Sequence, residues 1–153
     1  GPTEISDELW RNGIEVNLSA AFFVARAALK HMISAGRGRI IFIGSSGSIT
    51  GGGGSAVYSA AKAGVNGLVR ALSKEIAPQG ITVNAVLPAL IETDILRDRH
   101  KDEASRKKLV ERIPVGRLGQ PEDVANVVMF LASEQASYIC GQQIIVDGGS
   151  TYK

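Results

Sequence analysis

One cysteine and two histidines occur among the 153 residues, and each scarcity excludes something. A lone Cys140 cannot form an internal disulfide. With no His/Cys/Asp cluster at ligand spacing, it reads as a packed thiol rather than a nucleophile, and no metal is expected. A reducing, cytoplasmic setting fits. Long apolar runs are missing too: AAFFVARAAL is broken by Arg26, and the first residues carry no signal-peptide pattern, so no membrane partner is expected. Gly1-Pro2 is compatible with a protease-cleavage remnant. Charge of a single sign is scarce, with 17 Lys and Arg against 15 Asp and Glu. The densest basic patch, RDRHKDEASRKK at 97–108, is interleaved with acids and has no aromatic residue, which describes a solvated helix face and not a nucleic-acid groove. Neither GxGxxG nor GxxxxGK[ST] occurs.

What is present alternates between helix and strand without a linker or a repeat, in a chain of the size of one ordinary domain, 1–153. A helix is expected from Ser6-Asp7-Glu8 to about Ser34, with Val16, Ala20, Phe23, Ala27 and Met32 at helical spacing, stopped by Gly36 and Gly38. RIIFIG (39–44) reads as a buried strand, and a second helix spans about Ser55 to Ala77. ITVNAV (81–86) and QIIVD (143–147) read as further strands, separated by a charged helix near 101–112 and by GQPEDVANVVMFLAS, with Pro121 in its first turn. Strands separated by helices imply parallel β-α-β units in a layered α/β sheet, and ligands of such sheets lie beyond the strands' carboxyl ends. Those positions are Ser45 onward, 87–94, and Gly148 onward.

The first of them, SSGSITGGGGSAVYSAAK at 45–62, admits three readings. A flexible linker is disfavoured, because these glycines lie between a strand and a helix of one unit. A phosphate loop has the right context in Gly47, Gly51 and Gly53, but no acidic residue ends the following strand to hold a ribose. The third reading rests on Tyr58 and Lys62, four apart and so on one helix face. A free tyrosine titrates at about 10, and a neighbouring ammonium favours its phenolate, so the pair can exchange a proton with a carbonyl or alcohol oxygen. A lone YxxxK is a weak signal. Ser45, at the exit of RIIFIG, places a hydroxyl where it can reach the same oxygen.

In company, these segments resemble the short-chain dehydrogenase/reductases, especially the 3-oxoacyl-[acyl-carrier-protein] reductase type. The resemblance is carried in order by VNLSAAFF, RIIFIGSS, YSAAKAG, ITVNAVLPALIETDI, GRLGQPEDVANVVMFLAS and GQQIIVDGG. It implies a Rossmann-like three-layer fold, of which this chain would be the second half of the doubly wound sheet. It implies hydride transfer between NAD(P)(H), with NADP slightly favoured, and a small-molecule ketone, secondary alcohol or acyl-carrier substrate. Tyr58 would be the general acid/base, Lys62 would favour its phenolate and bind the nicotinamide ribose, and Ser45 would orient the substrate oxygen. Asn17 would hold a water of a proton relay; without the family it reads as a polar residue at a helix kink. Pro88, Ile91 and Thr93 would line the nicotinamide, and the region to about Arg112 would cover the substrate. The helices at 8–34 and 55–77 would pair in a homo-oligomer, dimer or tetramer, with Ala60, Ala63, Gly64, Gly67 and Ala71 allowing close approach, although internal packing explains those small residues equally well.

Two departures stand out. Ala89 replaces the usual glycine of the PG step. The family's glycine-rich first turn has no counterpart, so RIIFIG is expected to be an unprotected sheet edge in need of a missing N-terminal half, and the isolated chain is expected neither to bind NAD(P)H tightly nor to reduce ketones. The alternative is a truncated, noncatalytic oligomerising or binding subunit.

Overall fold

The computed structural model describes residues 1–152. Ser6 starts the first helix: its Oγ accepts from Leu9 N at 3.1 Å, and Asp7 and Glu8 sit beside the positive end of α1 (Asp7–Ile14). A π turn, Glu15–Ser19, joins α1 to α2 (Ala20–Ala35), which ends at Gly36 in the left-handed region with φ 64°. The single helix expected over this stretch is therefore interrupted where Asn17 lies. Its buried stripe also differs from expectation. Leu18, Ala21, Ala25, Leu29 and Met32 pack on the core, whereas Val16 and Phe23 are 62% and 48% exposed. The segment is apolar on more than one face, so spacing alone does not separate the stripe that meets the sheet from the one that faces outward.

Three parallel strands follow, β1 (Gly38–Ile43), β2 (Ile81–Pro88) and β3 (Gln143–Val146), in the order β1-β2-β3. The register runs from Gly38 opposite Ile81 to Ile43 opposite Val86, and from Ala85 opposite Gln143 to Pro88 opposite Val146. β2, flanked on both edges and covered on both faces, is buried from Ile81 to Leu87. This is why ITVNAVL reads as a nearly continuous apolar run instead of an alternation. Its fully buried Asn84 is satisfied: Nδ2 donates to Ile139 O at 2.8 Å and Oδ1 accepts from Gln142 N at 3.0 Å, fixing the turn that enters β3.

The crossover from β1 to β2 contains a helical turn, α3 (Gly47–Thr50), that the sequence does not announce, and then α4 (Ala56–Ile76). On one face of the sheet, Val65, Val69 and Leu72 of α4 and the inner stripe of α2 pack against Ile40, Phe42, Val83 and Ala85. On the other, Leu131 of α7 (Pro121–Ala132) packs against Val86, with Ile41 and Ile144 beside it. The result is the three-layer parallel α/β arrangement, with β1 at one edge of the sheet. Between β2 and α7 lie α5 (Asp94–Arg99), which has no sequence expectation behind it, and α6 (Glu103–Val110). A separate cluster of Leu109, Ile113 and Leu118 under Leu90 and Leu96 anchors this covering segment. Among the small residues of α4, Gly64 belongs to internal packing, because a Cβ there would lie 2.7 Å from Leu18 Cδ2, while one at Gly67 would meet nothing within 4 Å.

Candidate active site

The β1–β2 pairing continues past the end of β1. Gly44 N donates to Val86 O at 2.8 Å and Ser46 N to Pro88 O at 2.9 Å, so Ser45 is held beside the end of β2. Its half-buried Oγ accepts from Gly47 N at 3.1 Å and donates to no described residue, which leaves the hydroxyl proton available. Ser48 Oγ donates back to Ser45 O at 2.6 Å. A Cβ on Gly47 would lie 2.5 Å from Gly52 O, so the chain can fold back here only with glycine.

Ser55 caps α4, its Oγ accepting from Tyr58 N at 3.1 Å, and thereby sets Tyr58, Lys62 and Asn66 one turn apart along a single face. Lys62 and Asn66 bear on the β1 exit, and Tyr58 on the glycine loop that follows it. Lys62 Nζ donates to Ile43 O at 3.0 Å and lies 5.8 Å from the centroid of the Tyr58 ring. Burial of the ammonium lowers the Lys62 pKa from its ordinary value. Asn66 Nδ2 donates to Ser48 Oγ at 2.8 Å, completing a chain from α4 through Ser48 to Ser45 O. Asn66 Oδ1 is buried without a hydrogen-bond partner among the described residues. The Tyr58 ring edge lies against Gly53 (φ 96°), where a Cβ would come within 2.7 Å of Cδ1 and Cε1. Asn66 escaped the sequence reading because its partner is 18 residues away, and Gly53 entered it only within the disfavoured phosphate loop, since nothing in the sequence marks it as the glycine beside the Tyr58 ring.

Asn17 lies inside the π turn, half-buried, with Nδ2 donating to Gly13 O at 3.0 Å. It makes no hydrogen bond to Ser45, Tyr58 or Lys62 among the described residues. Gly13 itself abuts Val57, which brings this part of the helix against the start of α4. Beyond β2, Ala89 takes the turn without a positive φ and donates to Val146 O at 3.1 Å, so the missing glycine leaves no strain. Ile91 is buried and bridges to Gly119, with Gly119 N donating to Leu90 O at 3.0 Å and Glu92 N to Gly119 O at 2.8 Å. In a parallel bridge those bonds use the neighbours' groups, so the N–H and C=O of Ile91 remain without a partner among the described residues. Thr93 caps α5, its Oγ1 accepting from Leu96 N at 3.3 Å.

A cavity of about 400 Å³ opens between these parts, lined by Ser45, Gly53, Ala89, Leu90 and Arg112 and closed by Ser150 and Thr151. Beside it, a smaller space of about 250 Å³ reaches Arg117 and Asp123. Arg117 bonds both carboxylate oxygens of Asp123, at 2.7 and 3.0 Å, and Gln120 N donates to the same group. These contacts lower the Asp123 pKa to about 2. No helix of the described residues is long and apolar enough to cross a membrane.

A parallel sheet between two helical layers, with Ser45 beyond the end of β1, Lys62 bonded to the last residue of that strand and Tyr58 beside Lys62, defines a Rossmann-like α/β protein. The family profile described as Enoyl-(Acyl carrier protein) reductase matches residues 1–151. The chain is 45% identical over 145 residues to the 3-oxoacyl-[acyl-carrier-protein] reductase of Escherichia coli K12, covering 95% of this chain and 59% of that one. With the reductase of the same name from Rickettsia felis the identity is 49%, at the same coverage. Among solved structures, a protein described as an NAD(P)-dependent gluconate 5-dehydrogenase from Beutenbergia cavernae, with bound NADP, superposes at a TM-score of 0.93 and 40% identity, over 100% of this chain and 62% of that one. The chain belongs to the short-chain dehydrogenase/reductase family of oxidoreductases. It spans about 59% of the length of the curated relatives it matches.

Proposed function

We propose that these residues form the catalytic, substrate-side part of an NAD(P)-dependent reductase that interconverts a ketone and a secondary alcohol, either as a small molecule or on an acyl carrier. The observation that carries this reading is the tie from Lys62 Nζ to Ile43 O at 3.0 Å, which sets the Tyr58–Lys62 face of α4 against the strand end that presents Ser45.

In the direction of reduction, Ser45 Oγ donates a hydrogen bond to the carbonyl oxygen and Tyr58 delivers the proton to it. The Lys62 ammonium stabilises negative charge on the phenol oxygen as that proton leaves. Asn17, turned by the π insertion, holds a water through which Tyr58 is reprotonated. The bound nicotinamide supplies the hydride. The residues present suit its nicotinamide end: the unpartnered N–H and C=O of Ile91 match a carboxamide's donor and acceptor, Pro88 and Thr93 flank them, and Lys62 can bond the ribose. NADP is slightly favoured over NAD. No glycine-rich turn suited to the pyrophosphate occurs among these residues, so tight cofactor binding requires a segment beyond them.

Exposed apolar side chains on α2 (Phe23, 48%, and Val24, 71%) and on α7 (Met129, 71%) support a homo-oligomer, and the lone Cys140 fits a reducing, cytoplasmic setting. The test is NADPH-dependent ketone reduction by the full-length gene product beside the isolated 153-residue chain. Turnover by the former and none by the latter is expected. Robust turnover by the isolated, homogeneous chain contradicts the divided site, and inactivity of the full-length product favours a noncatalytic binding subunit.

A further inference from the structure

The covering segment carries five arginines, Arg97, Arg99, Arg106, Arg112 and Arg117, whose surroundings can be compared. Arg97 is neutralised by Glu92 and Asp94, Arg106 by Glu92, and Arg117 by Asp123. Arg112 differs. It follows α6, lies exposed, and forms no ion pair or side-chain hydrogen bond among the described residues, yet it lines the cavity that contains Ser45. Among the described residues no aspartate or glutamate lines that cavity, and the other polar side chains in its lining are hydroxyls, from Ser45, Ser46, Thr50, Ser150 and Thr151. A guanidinium without a counter-ion among the described residues, at a recess that they furnish only with neutral donors and acceptors, makes a site for a planar or tetrahedral oxyanion. Its main chain is fixed, because Arg112 N donates to Leu109 O at 3.1 Å and the next residue, Ile113, is buried in the cluster with Leu109 and Leu118.

We infer that Arg112 determines specificity by pairing with an oxyanion, a carboxylate or a phosphate, on the substrate whose carbonyl or alcohol oxygen meets Ser45 and Tyr58. The inference rests on the reductase reading above and narrows its substrate to an anionic oxo or hydroxy compound. The cavity, about 400 Å³, is large enough for a substrate of several carbons and is lined by both Ser45 and Arg112, while Tyr58 borders it through Gly53, against which its ring lies. Arg112 takes no part in proton transfer. It contributes binding energy remote from the reacting centre, and its removal therefore acts mainly on KM.

The experiment compares three carbonyl probes with the full-length gene product and NADPH: acetoacetate, dihydroxyacetone phosphate and neutral acetoacetamide. Wild type is expected to prefer one of the two anions over acetoacetamide in kcat/KM, and the preferred one distinguishes carboxylate from phosphate. Arg112→Gln should lower that preference about tenfold or more, mostly through KM, and Arg112→Lys should retain part of it, since it keeps the charge but not the fork. Melting temperature serves as the check that the exposed substitution leaves the fold intact. Equal kcat/KM for anionic and neutral probes in the wild type, or an unchanged preference in Arg112→Gln, overturns the inference while leaving the reductase reading standing. No turnover of any probe overturns that reading and the inference with it.

Discussion

Lys62 Nζ donates to the main-chain carbonyl of Ile43 at 3.0 Å, so the ammonium that flanks Tyr58 is held by the last residue of β1. The bond joins the catalytic helix to the strand end. It also keeps a partly buried cation in place, and burial lowers the pKa of Lys62 from its ordinary value of 10.5.

That shift has a defined sign in stability. Below its lowered pKa, Lys62 is charged in both folded and unfolded chains, and the folded state bears the full desolvation penalty. As pH rises from the lowered value towards 10.5 the folded chain releases its proton first, so stability relative to a variant without the group increases and then levels off. Denaturation midpoints of wild type and Lys62→Met, followed from neutral pH to about 11, should diverge in favour of wild type in the alkaline range. A constant difference over the whole range would show that the ammonium is not desolvated in the folded protein.

Ser48 and Asn66 support Ser45 from behind. Ser48→Ala strands the buried Asn66 Nδ2 beside an Oδ1 that already lacks a partner, which should destabilise by about 1–3 kcal/mol and lower kcat as Ser45 loosens. Adding Asn66→Leu removes the buried polar atoms, and stability should recover in part while kcat does not. Urea denaturation and steady-state rates on the same preparations check both. Recovery of kcat along with stability would mean that the chain of hydrogen bonds positions nothing.

Gly53 separates backbone strain from crowding of Tyr58. Gly53→Ala meets both, whereas Gly54→Ala, at φ 100° with nothing within 4 Å of the added Cβ, meets the strain alone. Both should lose about 1 kcal/mol or more of stability, and only Gly53→Ala should lose kcat heavily. Gly67→Ala is the control: mid-helix with open space, it should stabilise by up to about 1 kcal/mol. Equal loss of kcat at positions 53 and 54 would remove the contact with Tyr58 from the account.

The parts of this structure that show in the sequence are local. RIIFIG, ITVNAV and QIIVD reveal themselves because a strand covered on both faces must be apolar throughout, and Ser55, Gly36 and Pro121 punctuate helices by their own chemistry. Tyr58 and Lys62 are legible for the same reason, being four residues apart on one helix. The π turn at Glu15–Ser19 is not, since no residue type marks it and its neighbours have ordinary helical propensity. The outward stripe of Val16 and Phe23 reads like the inner one of Leu18 and Ala25, because only the sheet decides which of two apolar faces is buried. Asn66 and Gly53 gain their meaning from partners on other elements, and Arg112 from the cavity it lines, and no spacing encodes that. The glycines of 51–54, which look like a mere path between Ser45 and Tyr58, include the surface on which the Tyr58 ring rests.

The central claim is that Tyr58 carries the proton. Its most direct measurement is kcat and cofactor affinity of Tyr58→Phe in the full-length gene product, which loses one oxygen and keeps the ring against Gly53. The account predicts a fall in kcat of about a hundredfold or more with the NADPH dissociation constant little changed. A kcat close to that of wild type would contradict it.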